Sequence, residues 1–375
     1  MRKTDVRSIA GGAMLALAAF GLALTAITST ACQSAKYPEG LYAEVATNKG
    51  LIVLKLDLER VPMTVANFVG LAEGTIANTA AAPGRPFFDG TKWHRVVPGH
   101  VIQCGMGPGG AEGPGYEFPN EIVAGPGLDH GRAGVLGMAN GGPHTNGSQW
   151  YITLGNRSYL DGDYTVFGEV AGGMDVVNAI VQEDDVVSVR IVRVGQAARA
   201  FRPSTASFQA TVEAAKAGVV KAEADRRARE DEYVRTAWPA AVRDEAGFES
   251  VVLTKGRGEV PRPGAVVTAI YTGTAPLHGK SFVSTADEGK PYWAGTPAEP
   301  FGLTVGTPRV NPGFDAAIAR MKKGEKRVVI VRPEQGYTAN GFYARQRPGE
   351  KRFVLSPHTL LVYEIEVLDI VPAKR

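Results

Sequence analysis

Chemistry-bearing residues crowd one stretch of this 375-residue chain, between positions 87 and 170. Trp93-His94-Arg95 is followed by Val101-Ile102-Gln103-Cys104-Gly105, then by Met138-Ala139-Asn140-Gly141-Gly142 and Asn146-Gly147-Ser148-Gln149-Trp150-Tyr151. Tyr159-Leu160-Asp161-Gly162-Asp163-Tyr164 closes the set. An arginine stays protonated and presents a planar fork of donors, so Arg95 suits stabilisation by hydrogen bonding rather than proton transfer. Signatures of other chemistries are missing: no GK[ST] phosphate loop, no HExxH, and no cysteine or histidine pair at metal spacing. The glycine run 105–115 lacks a Lys-Ser/Thr and a following helix, so it reads as a loop, and Ser148 lacks the pattern of a nucleophile elbow. These residues call for neither a metal nor a cofactor, and covalent catalysis has no support.

Such a set needs a β-rich frame. Hydrophobic residues at 44% and charged residues at 21% are ordinary globular proportions, while 46 Gly and 24 Pro set many turns. The length exceeds what one core usually supports, so two domains are expected. Val45-Ala46-Thr47 and Leu51 to Leu56, separated by Asn48-Lys49-Gly50, predict a hairpin. Val65, Phe68, Val69 and Ala72 predict a helix over Pro62 to Glu73, with Pro62 near its start and Gly74 past its end. From 87 to 170 short apolar runs alternate with Gly/Pro turns, which predicts a closed or strongly curved antiparallel sheet whose last strand is Val186 to Val194. Phe208, Val212, Ala215, Val219 and Ala222 mark one helical face within a segment from 196 to 246, dense mixed charge follows, and Pro239 ends the helix. A solvated linker helix is the plain reading; a dimerising or partner-binding helix is the alternative. From 247 to 371 strands are predicted at Val251–Leu253, Val266–Tyr271, Arg327–Val331 and Leu360–Ile370, with a short helix over Phe314 to Met321.

The first 31 residues differ. Arg2, Lys3 and Arg7 precede an uncharged apolar stretch from about Ile9 to Ile27, which reads as an export signal. Ser29-Thr30-Ala31-Cys32 resembles the bacterial lipobox, in which the cysteine is diacylated and becomes the new N-terminus; Ser29 stands where leucine is usual. Simple cleavage after Ala31 and an uncleaved membrane span are the alternatives. Residues 32–40 then serve as a polar tether, and lipidation at Cys32 implies a membrane-anchored, extracytoplasmic protein on the periplasmic side or at the outer membrane. Net charge is only +3, so no field attracts nucleic acid. Two cysteines, Cys32 and Cys104, offer no disulfide framework.

The three segments PFFDGTKWHRVVPGHVIQCG, GVLGMANGGPHTNGSQWYITL and YLDGDYTVFGEV closely resemble the cyclophilin family over residues 41–195. The resemblance implies an eight-stranded antiparallel barrel capped by helices, and cis/trans isomerisation of X-Pro peptide bonds in proline-containing exported polypeptides. It makes Arg95 the catalytic arginine, oriented by Gln103. Ala139 and Asn140 would offer main-chain groups to the substrate, Gln149 a side-chain contact, and Tyr151, Val101 and Leu160 a proline pocket. Four positions depart from the family: His100 replaces phenylalanine and would make the pocket more polar, Tyr159 replaces the tryptophan of cyclosporin-sensitive members, Tyr164 replaces a frequent histidine, and Cys104 sits where glycine is common. Weak cyclosporin binding is expected. Cys104 reads as a buried inert thiol, with a redox switch as the alternative, and His94 as a structural histidine.

Residues 247–371 resemble the FK506-binding proteins, a second prolyl isomerase family, through VVTAIYTG, HGKSF, VNPGFDAAIARMKKGEKRVVIVRPEQGYT and SPHTLLVYEIEVLDI. The fold implied is a curved antiparallel sheet wrapped on one short helix. Its apolar cup would come from Tyr271, Phe282, Phe301, Val310, Phe314, Tyr337 and Tyr363, with Asn311 in place of isoleucine, Phe314 in place of tryptophan and Val283 in place of aspartate. This half is expected to be either a second catalyst or a binding module. Arg345, Arg347, Lys351 and Arg352 form a basic loop that would contact substrate proteins or simply be solvated. A non-catalytic chaperone or scaffold is the rival account of the whole chain.

Overall fold

A computed structural model describes residues 36–123, 125–285, 299–338, 341–342 and 355–373. Cys32 and the basic loop at 345–352 lie outside the described residues. The first sheet contains β1 (Gly40–Thr47), β2 (Gly50–Leu56), β3 (Thr91–Lys92), β4 (Arg95–Val97), β5 (Val101–Cys104), β6 (Val135–Asn140), β7 (Asn146–Thr153), β8 (Val166–Gly172) and β9 (Asp185–Val194). Its order is β3-β9-β1-β2-β8-β6-β7-β5-β4, antiparallel throughout. The two ends of this path, β3 and β4, are separated in the chain only by Trp93 and His94. One interrupted strand therefore closes the sheet on itself, and counting β3 and β4 together gives the eight strands expected.

Alternation along the strands divides this barrel into two faces. Val96, Ile102, Cys104, Leu136, Met138, Trp150 and Ile152 point inward and join the core, where Trp93 and Trp150 meet edge to face at 5.2 Å. Helix α1 (Pro62–Glu73) covers one end, with Phe68 5.6 Å from Trp150. Proline at its first turn costs no hydrogen bond, and the Glu121 carboxylate, brought in from a distant loop, accepts the Met63 and Thr64 N–H groups at 3.2 and 2.8 Å. Gly74 ends the helix at φ 69°, and a Cβ there would meet the Arg85 backbone at 2.8 Å. Cys104 is buried among these side chains and burial pushes its thiol well up, which removes the thiolate a redox switch needs.

After α2 (Met174–Ala179) and α3 (Gln196–Ala200) comes α4 (Thr205–Ala237), 33 residues and about 50 Å long. Ser204 caps it in a reciprocal pair with Ser207. The expectation of a solvated linker holds only for its middle. Phe208 and Val212 are buried in the barrel's core, with Phe208 at 5.5 Å from Tyr116 and 5.7 Å from Phe118. At the other end Val234 packs with Val328, Ile330, Leu360 and Val362. Glu230, also buried, pairs with Arg226, and Arg332 reaches Asp231 at 2.7 Å and Glu249 at 3.0 Å. The helix is thus keyed into both cores.

The second sheet contains β10 (Val242–Arg243), β11 (Glu249–Thr254), β12 (Val266–Ala275), β13 (Lys280–Ser284), β14 (Phe301–Thr304), β15 (Lys326–Val331) and β16 (Leu361–Val371). Its order is β10-β11-β15-β16-β12-β13, with β14 also on β12, and every pair is antiparallel. Besides the end of α4, helix α5 packs on it, and it runs Pro312–Ile318 rather than from Phe314 to Met321. Asn311 sets the start: its Oδ1 accepts the Phe314 N–H at 3.0 Å, and Pro312 takes the first helical position.

Candidate active site

The barrel's outward-facing residues build the site. Arg95 on β4 lies opposite Gln103 on β5, Gln103 lies opposite Tyr151 on β7, and Tyr151 lies opposite Gly137 on β6. The period of two then adds Val101, Gln149 and Ala139 to the same outer face. A line of side chains holds the guanidinium: Arg95 Nη1 donates to Gln103 Oε1 at 3.2 Å, Gln103 Nε2 donates to Gln149 Oε1 at 2.8 Å, and Gln149 Nε2 donates to the Glu112 carbonyl at 2.8 Å. Because that last acceptor is main chain, the amide orientations are fixed along the whole line. Arg95 itself stays exposed.

Beside it, Val101, Tyr151 and Leu160 form a buried apolar cluster separate from the barrel core, with Ala139, Tyr159 and Tyr164 packed around it. Tyr164 meets Tyr151 edge to face at 6.1 Å. Asn140 is held by donation from its Nδ2 to the Asp163 carbonyl at 3.0 Å. A groove of about 750 Å³ runs from Gln103 and Gln149 past Ala139 and Asn140 to Glu112 and Glu117. Half-buried His94 borders it, in contact with the Gln149 side chain, and burial lowers its pKa. The structure therefore brings Arg95, Val101, Gln103, Ala139, Gln149 and Tyr151 onto one outer face, with Tyr159, Leu160 and Tyr164 packed beside them.

His100 departs from the expectation that its ring adds a titrating, polar cover to the pocket. Its Nδ1 accepts from Arg157 Nε at 3.0 Å, and its Nε2 lies 3.4 Å from the Tyr159 hydroxyl. Burial first, then the positive charges of Arg157 and Arg95, lower its pKa, so the ring is neutral at pH 7. His94, His130 and His144 are lowered as well, each chiefly by burial. A histidine whose folded pKa lies below the ordinary 6.5 takes up its proton more readily when unfolded. Stability is therefore fully present above about pH 6.5 and is lost as the pH falls toward the folded values. The denaturation midpoint of the barrel is expected to be lower at about pH 5.5 than at about pH 7.5; an unchanged midpoint would show that these rings are not held neutral.

Three residues not singled out from sequence join the site. His130 touches Tyr151, Arg157 holds His100, and Glu112 anchors the glutamine line. A signal for the first was available, since a tyrosine hydroxyl facing an apolar pocket needs a partner.

In the second domain four of the residues expected to form the cup pack on one another in the core. Tyr271, Phe282, Phe314 and Tyr363 are all buried, with Phe314 4.8 Å from Tyr271 and 4.9 Å from Tyr363. Burial pushes the Tyr271 hydroxyl up to about 12 and raises that of Tyr363 well above its ordinary value. Phe301 leans on Tyr271 at 5.6 Å and carries Arg309 over its face at 5.7 Å, while Tyr337 stacks on Phe342 at 4.8 Å. Asn311 is not a gap in an apolar wall: besides capping α5, its Nδ2 donates to the Tyr363 hydroxyl at 2.8 Å. Val283 is buried in the same core. A cavity of about 660 Å³ beside α5 includes Val310 and Asn311 but none of the buried rings.

Comparison with known proteins agrees with this architecture. The family described as "Cyclophilin type peptidyl-prolyl cis-trans isomerase/CLD" matches residues 42–196, and "FKBP-type peptidyl-prolyl cis-trans isomerase" matches residues 258–368. "Probable peptidyl-prolyl cis-trans isomerase A" of Mycobacterium leprae is 46% identical over 145 residues, covering 37% of this chain and 79% of the relative. "Peptidyl-prolyl cis-trans isomerase B" of Streptomyces anulatus is 43% identical over 149 residues, covering 38% and 84%. Human "Peptidyl-prolyl cis-trans isomerase-like 1" is 40% identical over 147 residues, covering 38% and 80%. The closed β barrel of residues 40–194, with its outward arginine, thus belongs to a chain of the cyclophilin-type peptidyl-prolyl cis-trans isomerase family that also carries an FKBP-type domain.

Proposed function

We propose that Arg95 drives the isomerisation and that the substrates are exported polypeptides. The barrier to rotation about an X-Pro bond is loss of amide resonance, about 18–20 kcal/mol, and no covalent bond has to break. A twisted amide localises a lone pair on nitrogen. A donor aimed at that nitrogen favours the twisted form over the planar one, and a pocket that grips the proline ring lets the other side of the bond turn against it. The observation that carries this reading is the Arg95–Gln103 hydrogen bond at the edge of the Val101, Tyr151 and Leu160 cluster. Ala139, Asn140 and Gln149 would hold the flanking peptide.

The FKBP-type half acts in this reading as a binding module, supported by the burial of Tyr271, Phe314 and Tyr363 against one another. Refolding of a protein limited by an X-Pro bond is the test. The full chain should abolish the slow phase, which otherwise lasts tens to hundreds of seconds. Arg95→Ala should leave it, and acceleration by that variant would transfer the activity to the second half.

Residues 1–31 and Cys32 supply the cellular setting in this proposal: export, then lipidation at Cys32 and anchoring of the enzyme at a membrane. Two or more acyl chains hold a protein stably, one does not. Cys32→Ser is therefore expected to move the protein from the membrane to the soluble fraction and to abolish incorporation of labelled fatty acid. Membrane retention by Cys32→Ser, with no label incorporated by the parent protein, would leave the uncleaved span as the anchor.

A further inference from the structure

Beneath the apolar cluster lies a polar relay that isomerisation chemistry does not require. The Tyr151 hydroxyl is 2.7 Å from His130 Nε2, and His130 Nδ1 is 2.7 Å from Asp161 Oδ1. His130 has no exposed surface, and Tyr151 is 4% exposed. A carboxylate can only accept, so Nδ1 carries the ring proton; burial lowers the pKa of this histidine, which leaves Nε2 as an acceptor for the phenol.

The same histidine clips the segment that supplies the rest of the pocket. Its backbone N–H donates to Asp161 Oδ1 at 2.8 Å, and its carbonyl accepts the Arg157 N–H at 2.6 Å. Between those two anchors stand Tyr159 and Leu160, and Arg157 is also the residue that holds His100. The strand pairing makes room for this arrangement. Tyr151 lies opposite Gly137, and a methyl group at 137 would overlap the Cζ and Oη atoms of the tyrosine. The ring therefore lies across β6 at the one position without a side chain and delivers its hydroxyl to His130 instead of to the pocket.

We propose that His130 is a positioning residue for X-Pro isomerisation, taking the Tyr151 hydroxyl out of the proline pocket and fixing the Arg157–Asp161 segment against it. Without this acceptor the hydrogen bond that directs the phenol to His130 and away from the pocket is gone, and polarity in the apolar site costs binding. Loss of the acceptor should then weaken the grip on proline more than the turnover of bound peptide. The inference rests on the reading of Val101, Tyr151 and Leu160 as the proline pocket.

The experiment is a cycle in the full chain, with kcat and KM measured for a proline tetrapeptide. His130→Asn keeps a donor near Asp161 but is too short to accept from Tyr151. We expect it to raise KM about fivefold or more with kcat within about twofold, as loss of roughly 1 kcal/mol of binding requires. His130→Gln, which can place an acceptor near the Nε2 position, should recover part of the loss. The deciding variant is His130→Asn with Tyr151→Phe: without a hydroxyl to satisfy, its KM should equal that of Tyr151→Phe alone. Additive losses in the double variant would overturn the proposal and assign His130 to general stability. If none of the four variants changes KM or kcat, the pocket reading itself falls. Nitrogen chemical shifts of His130 add an independent check, since a proton on Nε2 rather than Nδ1 would also overturn the relay.

Discussion

Arg95→Ala is expected to lower kcat/KM for a proline tetrapeptide by about 10²-fold, the lower end of what removal of one aimed donor costs. The lower end applies because the guanidinium is exposed and water can replace part of its effect. Most of the loss should fall on kcat, since in the proposed mechanism the donor acts on a lone pair that exists only in the twisted state. Arg95→Lys keeps the charge without the fork that in the proposed mechanism would span substrate and Gln103, and should recover little. Gln103→Ala, which removes orientation but not the donor, should cost about tenfold or less. An Arg95→Ala enzyme within about threefold of the parent would remove the arginine from the mechanism.

The second large effect belongs to stability. Asn311→Ala should destabilise the FKBP-type domain by about 2–3 kcal/mol: about 1 for the lost cap on α5, and 1 or more for the hydrogen bond to buried Tyr363. Tyr337 also bonds the Tyr363 hydroxyl, which keeps the loss from growing further. Asn311→Ile separates this account from one based on an imperfect apolar wall. If the wall were the issue, isoleucine would stabilise the domain; with the two hydrogen bonds in control, it should cost as much as alanine. Denaturant midpoints of the second transition, with the slope unchanged, decide between them.

Much of this was legible where neighbours in sequence set the structure. The β1–β2 hairpin and the limits of α1 follow from Asn48-Lys49-Gly50, Pro62 and Gly74, all acting within a few residues of themselves. The three motif segments pointed to one site because alternation on adjoining strands leaves Arg95, Gln103, Gln149 and Tyr151 no other face. What escaped depends on distant partners. Asn311 reads as an intruder until Tyr363, 52 positions away, meets its amide, and His130 is silent until Tyr151 reaches it across Gly137. The linker helix shows the same division: its apolar stripe at Phe208 and Val212 was visible, but Glu230 acquires meaning only through Arg226 and Arg332.

The interrupted strand between β3 and β4 bears on which changes in chain length this fold can absorb. Thirty residues separate Cys104 from Val135, and loops of that kind lengthen at little cost. Trp93 and His94 have no such slack, because Lys92 is paired with Asp185 on one edge of the sheet and Arg95 with Gln103 on the other. One added residue here would turn every later side chain of the strand over, carrying Arg95 into the space now filled by Trp150 and Ile102. Growth and shrinkage of the chain are thus confined to the loops around the site, while the step that delivers the arginine has a fixed length of two.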